Sequence, residues 1–247
     1  MKEIINIINS TPCESAADYL NLYKKIKRIP KEHTDSSEKF LKIALLSSFT
    51  IQNLAEILSV YCYRLGVTPL VYVSPYNQHA QEILNQGSKL YAFQPDMVIL
   101  YIDIRTLFGE PFLTPYALSD QQRKQWTREK TEELVNCIHT MTKSLTSKII
   151  VHNFEVPADS PLGILENKQE YGFVESIQSL NSALRDTFKS SSQVFILDYN
   201  AFCSKIGKQN ICDPKMYYLA DMKLDFQLMG RDERIVFFMI DSSNPAF

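Results

Sequence analysis

Five short runs of apolar, β-branched and aromatic residues punctuate the chain, at positions 42–47, 69–74, 97–103, 147–153 and 193–198, and each reads as a buried strand. The segments between them carry apolar residues at helical spacing instead: Leu54, Ile57, Leu58, Tyr61 and Leu65; Leu134, Ile138, Met141 and Leu145; Val174, Ile177, Leu180, Leu184 and Phe188. That alternation excludes most architectures. Strands separated by helices, with no hairpin signal between them, are joined by right-handed crossovers into a mostly parallel sheet covered on both faces. The expected fold class is α/β, three layers deep, around a parallel five-stranded sheet.

Helix punctuation agrees. Thr50 stands as an N-cap before Ile51, Gly66 follows the last apolar position as a C′ residue, and Ser119 with Gln122 makes a capping box for the long helix that carries Trp126. Residues 1–40 differ, with helical patterns at 2–9 and 14–28 followed by the polar stretch 30–37; they read as a helical leader and linker. The segment 156–171, with Pro157, Pro161 and Gly163, is the best candidate for a binding loop. At 247 residues, one large domain with an appendage is expected.

Several function classes drop out. The seven glycines never reach G-x-G or Walker spacing, so phosphate-cradling glycine loops are excluded. The five cysteines contain no C-x-x-C pair and read as reduced, mostly packed thiols, with neither a zinc site nor a disulfide framework expected. A net charge of -2 offers little electrostatic footprint for nucleic acid, and the basic run 24–28 reads as a solvated helix end. No apolar run approaches a membrane span, and the first residues lack the layout of a signal peptide; a cytoplasmic protein is expected.

In an open parallel sheet, ligands bind beyond the carboxyl ends of the strands, where the strand order reverses. That rule nominates Ser47, Ser48 and Thr50 after the first strand, Asp103 and Arg105 after the third, His152 and Asn153 after the fourth, and Asp198 and Asn200 after the fifth. The run 43–50 leads a strand straight into a helix and would hold a serine hydroxyl at a helix N-terminus, a position that favours an anion or oxyanion. The alternative is that Ser47, Ser48 and Thr50 only satisfy free backbone N–H groups.

Leu46-Ser47-Ser48-Phe49-Thr50 resembles the G-D-S-x-T block of SGNH hydrolases, with Ser48 at the nucleophile position and Leu46 and Ser47 in place of the glycine and aspartate. Residues 71–84 through 94–100, and Cys212-Asp213-Pro214-Lys215-Met216-Tyr217-Tyr218-Leu219-Ala220-Asp221-Met222-Lys223, are similar to the SGNH-like N-terminal domain of FkbH-like proteins, which carry a subfamily IIIC haloacid-dehalogenase domain. The resemblance runs from about residue 40 to 230. It implies strand order 2-1-3-4-5 and a domain at 41–230. It also implies a place in polyketide-type pathways, where the dehalogenase-type domain transfers a glyceryl unit onto an acyl carrier protein. That domain needs a D-x-D-x-T motif and Mg2+, and the motif is absent from this sequence; no cofactor is expected in this chain. The tail 231–247 departs from the family, its strand-like run ending in Asp241 with no second aspartate two residues on. A truncation and an interrupted gene product both fit.

A serine nucleophile needs a base, which SGNH enzymes take from a D-x-x-H block near the C-terminus. The histidines are His33, His79, His139 and His152, so none lies in the last 95 residues and the family's triad is absent. His152 could pair with Ser48, though a histidine at a strand end is commonly structural. Asp103 falls near the G-x-N-D block without its glycine and asparagine, and beside Ser48 it would repel an oxyanion unless Arg105 screens it. The spacing of Asp213, Asp221 and Asp225 fits neither an EF-hand loop nor a transition-metal set. Tyr217-Tyr218 reads as core, cover or a seam with a following domain. Two readings follow. One is a catalytically degenerate domain binding an acyl carrier protein, its pantetheine arm or a downstream domain through Ser47, Ser48, Thr50, Asn77, Asp103, Arg105, Asn153 and Asp198. The other is an esterase using Ser48 and His152.

Overall fold

The computed structural model describes residues 2–29 and 39–223. Two helices lead, α1 (Lys2–Ser10) and α2 (Ala16–Lys27), followed by β1 (Phe40–Ser47), α3 (Gln52–Arg64), β2 (Thr68–Val73), α4 (His79–Leu84), α5 (Lys89–Phe93) and β3 (Met97–Tyr101). Then come α6 (Ile104–Phe108), α7 (Glu110–Leu113), α8 (Asp120–Ser144), β4 (Lys148–His152), α9 (Phe173–Phe188), β5 (Val194–Leu197), α10 (Tyr199–Ile206) and α11 (Pro214–Ala220). All pairings are parallel and the strand order is 2-1-3-4-5, as the resemblance implied.

The period of two along each strand builds two cores. Ile43 and Leu45 of β1, Met97, Ile99 and Tyr101 of β3 and Ile150 of β4 face α2, α3 and α10. Ala44, Leu46, Val98, Leu100, Ile149 and Val151 face α8 and α9. Both faces are therefore buried, which is why the runs look continuously apolar rather than alternating. Each such Leu or Ile contributes roughly 1.5–3 kcal/mol. The Tyr19 ring of α2 stacks on Tyr61 of α3 at 5.0 Å, with their hydroxyls 2.7 Å apart, so the leading helices share the first core.

The capping expectations divide. Gly66 takes a positive φ of 73° after α3, and Ser119 and Gln122 form the capping box of α8. Thr50 does not cap α3: the helix opens at Gln52 after Ile51, and the Thr50 side chain is bonded elsewhere. The third strand stops at Tyr101 because Asp103 caps α6, its side chain accepting the Arg105 N–H. Among the described residues no helix is long and apolar enough to cross a membrane. All five cysteines are free thiols. The segment 156–171 contains a short 3-10 turn (Gly163–Lys168) and is pinned at its end by buried Arg123, which donates to the carbonyls of Tyr171, Pro115 and Leu118.

Candidate functional site

The strand order reverses between β2 and β3 on either side of β1, and register sets Ser47 opposite Tyr101 and His152 opposite Leu197. The chain leaving β1, β3 and β4 therefore converges at one edge. Ser47 turns its Oγ to accept the Phe49 N–H at 3.1 Å, a local turn contact. Ser48 is 1% exposed; its Oγ accepts the Asp103 N–H at 2.8 Å and its own N–H donates to the Tyr101 carbonyl at 3.3 Å.

His152 stands close by but is engaged by backbone on both sides. Nε2 accepts the Ile102 N–H at 3.1 Å, and Nδ1 lies 2.6 Å from the Asn153 carbonyl, to which it donates. These partners define the tautomer and leave no lone pair for a serine proton. Tyr101, Phe154 and Tyr199 wall the ring at 4.3, 5.0 and 5.3 Å. Burial, followed by the charge of Lys223, pushes its pKa down to about 3. Ser48 and His152 are not hydrogen-bonded to each other. His79, which opens α4, is likewise lowered by burial and bonds to the Ser47 backbone.

Asp103 is the hub. It is fully buried; Oδ2 accepts the Tyr217 hydroxyl at 2.7 Å, and Oδ1 accepts the Lys223 ammonium at 2.8 Å. Burial alone would raise its pKa, but the Lys223 charge and these hydrogen bonds outweigh that and hold the carboxyl below its ordinary value. Arg105 Nε lies 3.5 Å from Asp103 Oδ2, its guanidinium sits 4.1 Å above the Tyr217 ring, and its Nη2 pairs with Asp221. Asp221 also accepts the Tyr76 hydroxyl at 2.5 Å. Its backbone has a positive φ of 47°, and the carbonyls of Ala220 and Asp221 accept the Thr50 hydroxyl at 3.0 Å and the Thr50 N–H at 2.9 Å.

Residues 213–223 thus form a strap across the sheet's carboxyl edge. It is tied down by polar bonds, since α11 buries no side chain and exposes Tyr218 and Leu219. Asp213 caps α11 and Asp221 pairs with Arg105, while Asp225 lies outside the described residues. Among the described residues no cluster of three or more His, Cys, Asp or Glu side chains is placed to hold a metal ion.

The remaining candidates split into two groups. Asn153 staples β4 to the turn after β5, donating to Asp198 Oδ1 at 2.8 Å and accepting the Asn200 N–H at 2.8 Å, while Asp198 caps α10 through the Ala201 N–H. Asn77 is exposed at a left-handed corner, φ 52°, before α4. Ser48, Thr50, Asp103 and Arg105 are brought together; Asn153 and Asp198 serve the neighbouring turn. Tyr76, Tyr217, Asp221 and Lys223 belong to the same constellation and were not nominated from sequence. The available signal was the Asp-Pro helix start at Asp213, which places Tyr217 on a short helix and Asp221 just beyond its end.

A five-stranded parallel sheet in this order, with a serine at the end of β1 and a histidine nearby that is not bonded to it, defines a doubly wound α/β domain. The chain belongs to the family described as FkbH, N-terminal domain, whose model matches residues 42–236. None of the curated proteins matches it. Among solved structures it is similar to the N-terminal part of the protein BF1531 from Bacteroides fragilis, containing a phosphatase domain complexed with Mg, with 20% identity and a TM-score of 0.69 over 84% of this chain. This chain spans about half of that one, 53% of its length. A putative GDSL-like lipase from Parabacteroides merdae (12% identity, TM-score 0.50, 82% of this chain and 97% of the lipase) shares the fold. So does the lipase Lip_vut3 from a goat rumen metagenome (10% identity, TM-score 0.52, 79% of this chain and 97% of the lipase).

Proposed function

We propose that this domain is a catalytically degenerate SGNH-like accessory unit of an FkbH-like protein of glyceryl-carrier biosynthesis, and that it binds a partner instead of hydrolysing an ester. One observation carries the reading: the Ser48 hydroxyl is buried and accepts the Asp103 N–H, while the nearby imidazole has its only lone pair bound to the Ile102 N–H. A serine without a base at neutral pH is a poor nucleophile. What remains at the edge is a set of hydrogen-bonding and charged groups suited to recognition. The partner we favour is an acyl carrier protein or its acylated pantetheine arm, with a phosphatase-type domain as a neighbour. Any Mg2+ would belong to that neighbour. We place the domain at 41–230, with the helices at 2–10 and 16–27 leading into it.

The experiment has two arms. Calorimetric titration of the full chain with an acylated carrier protein should show saturable binding; no interaction removes the carrier-protein reading. Stopped-flow mixing with p-nitrophenyl acetate should show no burst, and Ser48→Ala should leave the trace unchanged. A burst abolished by Ser48→Ala would establish the serine esterase instead.

A further inference from the structure

The Asp221 carboxylate occupies a cradle made by groups from two other parts of the chain. One oxygen pairs with the Arg105 guanidinium of α6, and the other accepts the Tyr76 hydroxyl from the turn after β2. Each carboxylate oxygen thus has its own donor, one of them a charge-assisted guanidinium bond. The Arg105 half of the cradle is held by groups other than Asp221. Arg105 is held from the sheet side by Asp103 and from above by the Tyr217 ring. The neighbouring backbone is held separately, through the two Thr50 bonds to Ala220 and Asp221. The cradle also opens outward, since Tyr76 is 60% exposed.

The charges explain why an anion belongs there. Asp103 and Lys223 pair at 2.8 Å in the buried interior, and half-buried Glu155 interacts with Lys223 and Lys208. With Arg105 and Asp221 the edge carries three cations and three carboxylates. Taking Asp221 away leaves the edge with one positive charge in excess, and Arg105 with only its 3.5 Å ionic contact to Asp103. The Thr50 bonds go to backbone carbonyls and do not tie the Asp221 side chain to the cradle.

We propose that Arg105 and Tyr76 form a carboxylate-binding subsite, that Asp221 fills it in the unliganded chain, and that the carboxylate of a small acid or acyl group displaces Asp221 to bind. The inference deepens the binding role proposed above by naming ligand chemistry at that edge, and its test uses no carrier protein, so either can fail alone. Asp221→Gly empties the cradle and suits the left-handed backbone. Sodium acetate is titrated into the full chain at constant ionic strength while the resonance of the Thr50 amide, which donates to the Asp221 carbonyl and is present in every variant, is followed by NMR, with inorganic phosphate as a second arm. Acetate should bind Asp221→Gly at least tenfold more tightly than the unaltered chain, and the double variant Asp221→Gly with Arg105→Gln should lose that binding. Asp221→Asn, which tolerates the same backbone, is run in parallel and must change affinity in the same direction. Equal affinity in variant and unaltered chain, binding that survives Arg105→Gln, or a gain for phosphate without one for acetate would each overturn the proposal.

Discussion

Lys223→Met tests how the strap is held. Lys223 and Asp103 have side chains 8% and 1% exposed, so their pairing is a buried ion pair whose loss strands a carboxylate. Breaking such a pair costs roughly 3–5 kcal/mol. Tyr217 and Arg105 remain as partners of Asp103, which places the expected cost at the lower end, about 3 kcal/mol. The strap buries little apolar surface, so Asp103 can regain water by local opening, and the penalty should appear there and not in global unfolding. The reporter is the Thr50 amide, which donates to the Asp221 carbonyl across the junction. At tenfold per 1.4 kcal/mol, its hydrogen exchange should accelerate about 100-fold in Lys223→Met. The Ile149 amide, bonded to Gln193 between β4 and β5, is the control and should not change. Acceleration of Thr50 by less than roughly threefold, or an equal acceleration at Ile149, would refute a strap latched by this pair.

Two further outcomes are expected. His152 is held down to about 3 in the folded chain against 6.5 in the unfolded one, so between those values only the unfolded chain binds the proton; stability is complete above pH 6.5 and declines as pH falls, by at most about 1.4 kcal/mol per unit. Unfolding free energies from urea titrations at pH 7 and pH 5 should therefore differ by about 2 kcal/mol in the unaltered chain and by much less in His152→Gln, with the opposing contribution of Glu155 common to both; equal differences would count against the buried neutral imidazole. Burial pushes the Cys62 and Cys203 thiols up to about 12, so iodoacetamide at pH 8 should leave both unmodified by mass spectrometry until urea is added, and native alkylation of either would contradict the packing.

Much of the fold was legible because burial on both faces writes itself into composition. The runs around Ile43 and Val98 are apolar at consecutive positions since each successive side chain enters a different core. Ends were less legible. Thr50 has the right identity for a helix cap, yet its hydroxyl is claimed by the Ala220 carbonyl 170 positions away, a partner no local pattern reveals. Asp103 reads as the last residue of a strand until its side chain is seen to start a helix.

At the site, chain order alone determined that Ser48, Asp103, Arg105 and His152 would lie at one edge, because parallel strands all deliver their carboxyl ends to the same side. It also determined that no histidine follows position 152. Only the tertiary structure decided what those groups do. Whether His152 is a base or a strut depends on which lone pair the Ile102 N–H occupies, and whether Asp103 repels or anchors depends on a lysine 120 residues downstream. Hydrogen bonds and ion pairs act over a few ångströms and are indifferent to sequence separation, so the same side chains acquire their roles only once the strap has closed over the sheet.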